Sequence, residues 1–375
     1  MTIQGRAQPL RDVDQIPPGE IRITGIDLTS VVMHPAELKK LEGLPYLRQL
    51  YLPGPIWNPG GGKEDRTGVF KTLAALTGVQ RLAFGWTYDA TIDFGDNDLK
   101  ELSAWTGLKE LRCTQCRLAN VSLAPFTQLE DLDLSFNPFT DKGMEGLAEL
   151  KNLRRLLLRD TLVTDEGLKS LGNLTRLEEL DLSGARVTDK GVEYLRNLKS
   201  MRRLNLLGAQ VSDASIDVLA GMPHLEVLNL YRTRITNAGL AKLQSLKALS
   251  DIDLRYSRVT SNGVEALRAA VPALKVRFAG AATPRAKSAG AERPADFSEP
   301  AIAAWIKALG GTTEIAGGHV TAANLSATPV SDAQLQNLAH LPHLEKLDLH
   351  VTQVGDLGLS AVRQIAGLRE LNLNN

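Results

Sequence analysis

Between Leu153 and Leu174 the apolar positions change period. Leu156-x-Leu158 alternates with period two and predicts a short strand buried on one face. Leu168, Leu171 and Leu174 recur every third residue and predict one side of a short helix. Thr164-Asp165 lies between them, a hydroxyl suited to an N-cap followed by an acid suited to the first helical turn. The whole phrase returns at a constant offset in segments starting at Leu129, Leu153, Leu177, Met201, Leu225 and Leu249. Each copy reads L-x-x-L-x-L, two polar residues, a small residue, a spacer, Val or Ile, a cap pair, and usually Gly. The cap pair recurs as Thr188-Asp189, Ser212-Asp213, Thr236-Asn237 and Thr260-Ser261, always within the residue types that favour helix starts.

One strand and one helix per unit dictate the architecture. Strands stack about 4.7–4.9 Å apart, whereas packed helices need roughly 8–10 Å. Such units cannot stack straight, so the expected fold is an α/β solenoid, a horseshoe with a concave parallel sheet and short convex helices. The alternation also predicts which strand residues face outward. One column runs Asp131, Arg155, Glu179, Arg203, Val227, Asp251, and the next runs Asp133, Leu157, Asp181, Asn205, Asn229, Asp253. Alternating signs in the first column allow a ladder of ion pairs; exposed pairs contribute little, typically about 0–1 kcal/mol, and serve to keep neighbouring repeats compatible.

The motif resembles the leucine-rich repeats, closest to the ribonuclease-inhibitor-like group. Its V-T-D-x-G-L phrase is similar to that of F-box-associated repeats and their bacterial relatives. That family usually carries Asn or Cys at the small-residue position, where this chain has Asn137, Thr161, Ala185, Ala209, Thr233 and Ser257. The resemblance implies a non-enzymatic binding scaffold for proteins or peptides.

Outside the regular array the spacing loosens. Earlier strand phrases open at Ile23, Leu47, Val79 and Leu108, so the interval lengthens after Leu47 and shortens again before Leu129. The excess falls in 53–68, around Trp57, and in 85–99, which carries Trp86, Tyr88 and Phe94 beside four aspartates. Insertions on one rim of a solenoid are often binding loops. The expected organisation is a polar lead or cap over 1–20, a solenoid over 21–278, a linker over 279–298, and a second repeat segment over 299–375. The linker is rich in Ala, Pro and basic residues. The second segment opens with an amphipathic capping helix (Ile302, Trp305, Ile306, Leu309) ended by Gly310-Gly311, and new repeats start at Val320, Leu344 and Leu368. It stops at Asn375 just after Leu371-x-Leu373, in mid-unit, which points to a natural chain that continues rather than to dimerisation.

Composition narrows the function classes. Leucine supplies 62 of 375 residues while aromatics are only 5%, as one template copied many times would give. The 43 basic and 43 acidic residues cancel, which disfavours nucleic acid as a partner. No apolar run approaches the roughly 18 residues of a membrane span, and Met1–Pro18 lacks a signal-peptide core. Two cysteines fit a reducing compartment, so a cytoplasmic location is expected. Cys113-x-x-Cys116 has no second ligand pair and no following His, and both residues fall on template positions, so their reading is structural. His340 and His343 precede Leu344 in a turn and His350 points from the concave wall; they read as surface polar residues. Asp93, Asp96 and Asp98 lack the calcium-loop pattern. No catalytic or phosphate-loop motif is found, so neither an enzyme, a cofactor nor a metal is expected.

The residues best suited to a partner lie beyond the second column. Tyr231, Arg232, Arg255 and Tyr256 fall in two adjacent repeats, with Arg159 on the same wall and Arg258 at the rim. Tyr, Trp and Arg dominate binding hot spots because they join large apolar area to directed donors. Trp57 and Trp86 extend this candidate set, against which stands the reading that these are ordinary solvated polar residues. Two alternatives stand beside the scaffold: a substrate-recognition adaptor or effector of protein turnover, and a regulatory arm of a larger enzyme. The adaptor reading lacks an F-box-like helical domain before Ile21.

Overall fold

The computed structural model describes the chain except residues 6–7, 11–12, 58–65, 86–91, 279–292, 327, 329, 331, 351, 353, 355 and 374–375. Its strands form two sheets. In the first, twelve strands follow one another in chain order from Thr2–Ile3 to Lys275–Arg277. All neighbours in it are parallel except the first pair, where Thr2–Ile3 runs antiparallel to Ile23–Asp27. The second sheet has four strands between Thr312 and Asn372.

The regular repeats follow the sequence pattern closely. In the unit from Leu153 the strand is Arg155–Leu157 and the helix is Asp165–Leu168, continued as a 3-10 turn over Lys169–Leu171. Leu153, Leu156, Leu158, Val163, Leu168, Leu171 and Leu174 are all fully buried. Each fully buried side chain of this kind contributes about 1.5–3 kcal/mol relative to exposure. Successive units present the same residues, so their cores merge into one apolar column. Both outward columns are in the expected register: Asp131 pairs with Arg155, Arg155 with Glu179, Asp133 with Leu157, and Asn229 with Asp253.

The cap pairs do more than start helices. Thr164, Thr188, Ser212 and Thr236 each accept a backbone N–H of their own first turn. Each also donates its hydroxyl and its backbone N–H to the acid of the preceding unit, for example Thr188 to Asp165 at 2.6 and 2.8 Å. The acid therefore serves the next repeat. This explains the glycine of V-T-D-x-G: a Cβ on Gly167, Gly191, Gly239 or Gly263 would lie 2.1–2.6 Å from the preceding acid or amide oxygen. The one regular unit with Ser in this slot solves the problem by bonding, since Ser215 Oγ donates to Asp189 Oδ1 at 2.5 Å.

The small-residue position also has a physical role. Thr161, Thr233 and Ser257 hydroxyls donate to the carbonyls of Leu158, Leu230 and Leu254 at 2.7–2.8 Å. Asn137 does more, donating to Cys113 and Leu134 carbonyls and accepting from the Leu118 N–H. Cys113 and Cys116 are buried and free, in the template positions read from the sequence.

Both irregular stretches depart from the expected picture. Trp57 is buried, packed among Phe70, Phe84 and Phe94 at ring-centroid distances of 5.0–5.5 Å. The turn Gly54–Trp57 thus fills the inside of a widened unit, helped by a helix over Arg66–Ala75. The second segment opens with the expected helix, Glu299–Ala308, with Ile302, Trp305, Ile306 and Leu309 buried and Gly310 at φ 97° ending it. An antiparallel hairpin, Thr312–Ala316 with His319–Asn324, follows and lies outside what the repeat pattern predicts. Its signal is Gly317-Gly318, whose positive φ values, 61° and 84°, suit a tight hairpin turn. Residues 279–292 of the expected linker lie outside the described residues.

Candidate functional site

On the strand wall the charges of the first outward column are paired off, with Arg112 of the second column bridging Glu110 and Asp131. Arg81, Glu110, Arg112, Asp131, Arg155, Glu179 and Arg203 form an unbroken chain of ion pairs with N···O distances of 3.0–3.8 Å. Burial alone would lower the Arg155 pKa, but the Asp131 and Glu179 carboxylates on either side more than offset this and raise it. The chain stops at Val227, which takes the next position in the column.

The second column is occupied as well. Asp133, Asp181, Asn205, Asn229 and Asp253 each accept the backbone N–H two residues on, closing the turn that leaves the strand. These two columns therefore serve the fold itself. What remains for a partner is the third column and the residue after it.

That following residue lies in the left-handed region in every unit from Leu108 to Leu249. Gln115, Phe136, Asp160, Gly184, Gly208, Arg232 and Tyr256 have φ between 50° and 74°. From Gln115 to Arg232 their N–H groups hold the conformation by donating to a carbonyl of the next unit, as Phe136 does to Arg159 and Arg232 to Arg255. Only glycine enters this region freely; other L-residues lose roughly 1–2 kcal/mol. Phe136, Arg232 and Tyr256 thus occupy a slot where glycine, present in two neighbouring units, fits without strain.

The structure brings four of the expected residues together. The Tyr231 and Tyr256 rings meet edge to face at 5.0 Å, and the Arg255 guanidinium lies 5.3 Å from the Tyr231 ring centroid. Asp253, only 4% exposed, fixes Arg255 through bonds of 3.0 Å from Nε and 2.7 Å from Nη2. Burial would raise the Asp253 carboxyl, but the side-chain and backbone hydrogen bonds from Arg255 outweigh it and hold the pKa below the usual value. Arg232 is exposed in the left-handed slot beside Tyr231, and Tyr256 is 40% exposed. Arg258 is exposed at the rim, where its N–H bonds the Ile235 carbonyl.

Arg159 is not part of that group. It lies three strand steps away, about 14 Å at the usual spacing, over the half-exposed Phe136 ring at 5.2 Å and paired with Asp160 at 3.3 Å. Phe136 is absent from the set expected from the sequence; its signal is its place in the slot that Arg232 and Tyr256 also fill. Between the two aromatic–arginine clusters the wall carries Ser183, Gly184, Leu207 and Gly208.

Two expected contributors leave the set or stay outside it. Trp57, expected at the rim, is a core residue, because its ring completes the aromatic cluster of a widened unit and is 1% exposed. Trp86 lies outside the described residues. In the acidic stretch, Asp96 accepts the N–H groups of Ala119 and Asn120, Asp98 that of Gly95, and Asp93 pairs with Arg117 at 2.9 Å. Phe94 packs inward with Trp57.

A family model described as a leucine-rich repeat matches residues 127–148, 173–195, 221–243 and 340–362. No curated protein matches the chain. Among solved structures, an internalin (InlF) from Listeria monocytogenes is similar at 16% identity and TM-score 0.45, over 82% of this chain and 89% of that one. A leucine-rich-repeat protein of Leptospira interrogans is similar at 15% identity and TM-score 0.46, over 94% of this chain and 84% of its own. These matches do not distinguish the ribonuclease-inhibitor-like or F-box-associated groups. Among the described residues, no helix is long and apolar enough to cross a membrane.

Proposed function

We propose that this chain, a member of the leucine-rich-repeat proteins, is a non-enzymatic scaffold that binds a protein or peptide on its strand wall. Proteins of this repeat type usually serve as interaction scaffolds, and the site chemistry agrees with that use. The docking surface is the third column and left-handed slot, centred on Tyr231, Arg232, Arg255 and Tyr256. The observation that carries this reading is strain: bulky Arg232 and Tyr256 stand where Gly184 and Gly208 are conformationally free. Residues held in sparsely populated backbone regions cluster at binding and catalytic sites, which makes these two positions candidates for recognition.

The physical means is preorganisation. Asp253 holds Arg255, Arg255 lies against Tyr231, and Tyr231 meets Tyr256. A partner therefore meets aromatic area and an oriented guanidinium, its charge balanced by Asp253, already in place, with little ordering cost on association. The first column adds little attraction for charged partners because its charges are spent on one another. The Phe136–Arg159 cluster gives the same partner a second anchor, about 14 Å along the wall. An extended peptide of about four or five residues spans that gap.

A peptide library selected against the wild-type chain and counter-selected against Tyr231→Ala/Arg255→Ala tests this. Peptides enriched only on the wild type are expected, and their affinity falls at least about tenfold when either residue is removed alone. Equal enrichment on both proteins would remove the surface from consideration.

A further inference from the structure

Four of the six histidines, His319, His340, His343 and His350, fall in the last part of the chain, beyond Gly318. Two of them have partners that account for them. His340 stacks on Phe297 at 4.3 Å, and His350 Nδ1 lies 2.8 Å from Asp348. The other two converge on one carboxylate. His319 Nδ1 lies 3.0 Å from Glu299 Oε1, and the His319 and His343 rings are 4.0 Å apart. One ligand atom from each of Glu299, His319 and His343 lies within 4.8 Å of the others, the one such group among the described residues.

The geometry points to a divalent transition-metal site, with Zn²⁺ as its natural occupant, built from Glu299, His319 and His343. Zinc bonds to imidazole nitrogen and carboxylate oxygen are about 2.0–2.2 Å long. The edge of such a tetrahedron is about 3.4 Å, so the widest ligand separation closes by about 1.4 Å at most. His319 and His343 are exposed and make that movement by side-chain rotation alone. Glu299 is already oriented, because its Oε2 accepts the Val320 N–H at 2.7 Å while Oε1 faces His319. A carboxylate fixed by a second hydrogen bond is how metal sites place their ligands. Two imidazoles with one carboxylate select zinc, nickel or cobalt over magnesium or calcium, which prefer oxygen alone.

The three ligands come from three elements. Glu299 opens the capping helix, His319 opens the second hairpin strand, and His343 lies in the turn between the following helix and strand. A bound ion therefore staples the cap to the first repeat behind it and keeps a fourth position for water or a ligand atom of a bound molecule. This site does not depend on the docking surface at Tyr231.

The test is calorimetric titration of ZnCl₂ into the full, untagged chain after chelator treatment, with MgCl₂ in parallel. One zinc equivalent is expected, with a rise in unfolding temperature and a visible absorption band when Co²⁺ replaces it. His319→Ala, His343→Ala and Glu299→Gln each weaken zinc at least about tenfold, while His350→Ala binds as wild type. Glu299→Gln keeps an oxygen for the Val320 N–H, and circular dichroism of all four metal-free variants verifies that they fold. No saturable zinc binding, zinc binding unchanged in His319→Ala or His343→Ala, an equal loss in His350→Ala, or equal affinity for magnesium would each overturn the site.

Discussion

The Asp165 carboxylate receives both the hydroxyl and the backbone N–H of Thr188, at 2.6 and 2.8 Å, one repeat further on. The same two-pronged link joins Asp141 to Thr164, Asp189 to Ser212 and Asp213 to Thr236. Each repeat is thereby tied to the next at the helix start, while the leucines tie it through the core.

Gly191→Ala should break one such link. The new Cβ would lie 2.3 Å from Asp165 Oδ1, so the carboxylate must move away from Thr188. A loss of about 1–3 kcal/mol is expected, as for a partly buried charge-assisted bond. Gly191→Ser should lose less, because Ser215 shows that a hydroxyl in this slot bonds the acid. Gly107→Ala, with open space at Cβ, is the neutral control. Urea midpoints order the three variants, and an unperturbed Gly191→Ala would contradict the mechanism.

Asp189 predicts an acid-sensitive link. Burial raises its pKa, but hydrogen bonds from the side chains and backbones of Ser212 and Ser215 overcome this and hold it below the usual carboxylate value. A group depressed in the folded state adds stability that is fully present above its unfolded pKa of about 3.9 and is lost as pH falls through the lower folded value. Asp189→Asn should remove part of that pH dependence while keeping the fold. Asn237 already makes the equivalent link to Thr260 through Oδ1 and Nδ2. Denaturation midpoints between about pH 5 and pH 2 would fall less steeply in the variant; parallel curves would refute the assignment.

Tyr256→Gly separates structure from binding. Glycine relieves a left-handed φ of 59° and removes a ring that is 40% exposed. Stability is expected to be unchanged or to rise by up to about 1 kcal/mol, while affinity for peptides selected on the wild-type surface falls at least about tenfold. Thermal unfolding and calorimetry read the two effects independently. A clear loss of stability would mean that Tyr256 is held for packing and not for recognition.

Arg155→Met examines the charged column. It removes the cation between Asp131 and Glu179, each of which keeps another arginine, Arg112 and Arg203. The expected loss is about 1 kcal/mol, shrinking in high salt, with no effect on peptide binding. A change in binding equal to that of Tyr256→Gly would move the docking surface onto this column.

Composition and period alone determined the solenoid. Leucines spaced for a strand and then a helix have one way to be buried together, and copies at a constant interval have one way to stack, so the register of Asp131 with Arg155 follows from counting. The local pattern also placed the helix of Glu299–Ala308, whose apolar stripe is self-evident. Trp57 was beyond that reach: an aromatic in a Pro/Gly-rich insertion can turn either way, and only Phe70, Phe84 and Phe94, distant in sequence, decide that it turns inward. The sharing of Asp165 with Thr188, the left-handed slot at Arg232 and Tyr256, and the meeting of Glu299, His319 and His343 are likewise products of tertiary structure. Periodicity records which side of an element is buried, whereas hydrogen bonds and ligand sets depend on distances between repeats, and those exist only once the chain is stacked.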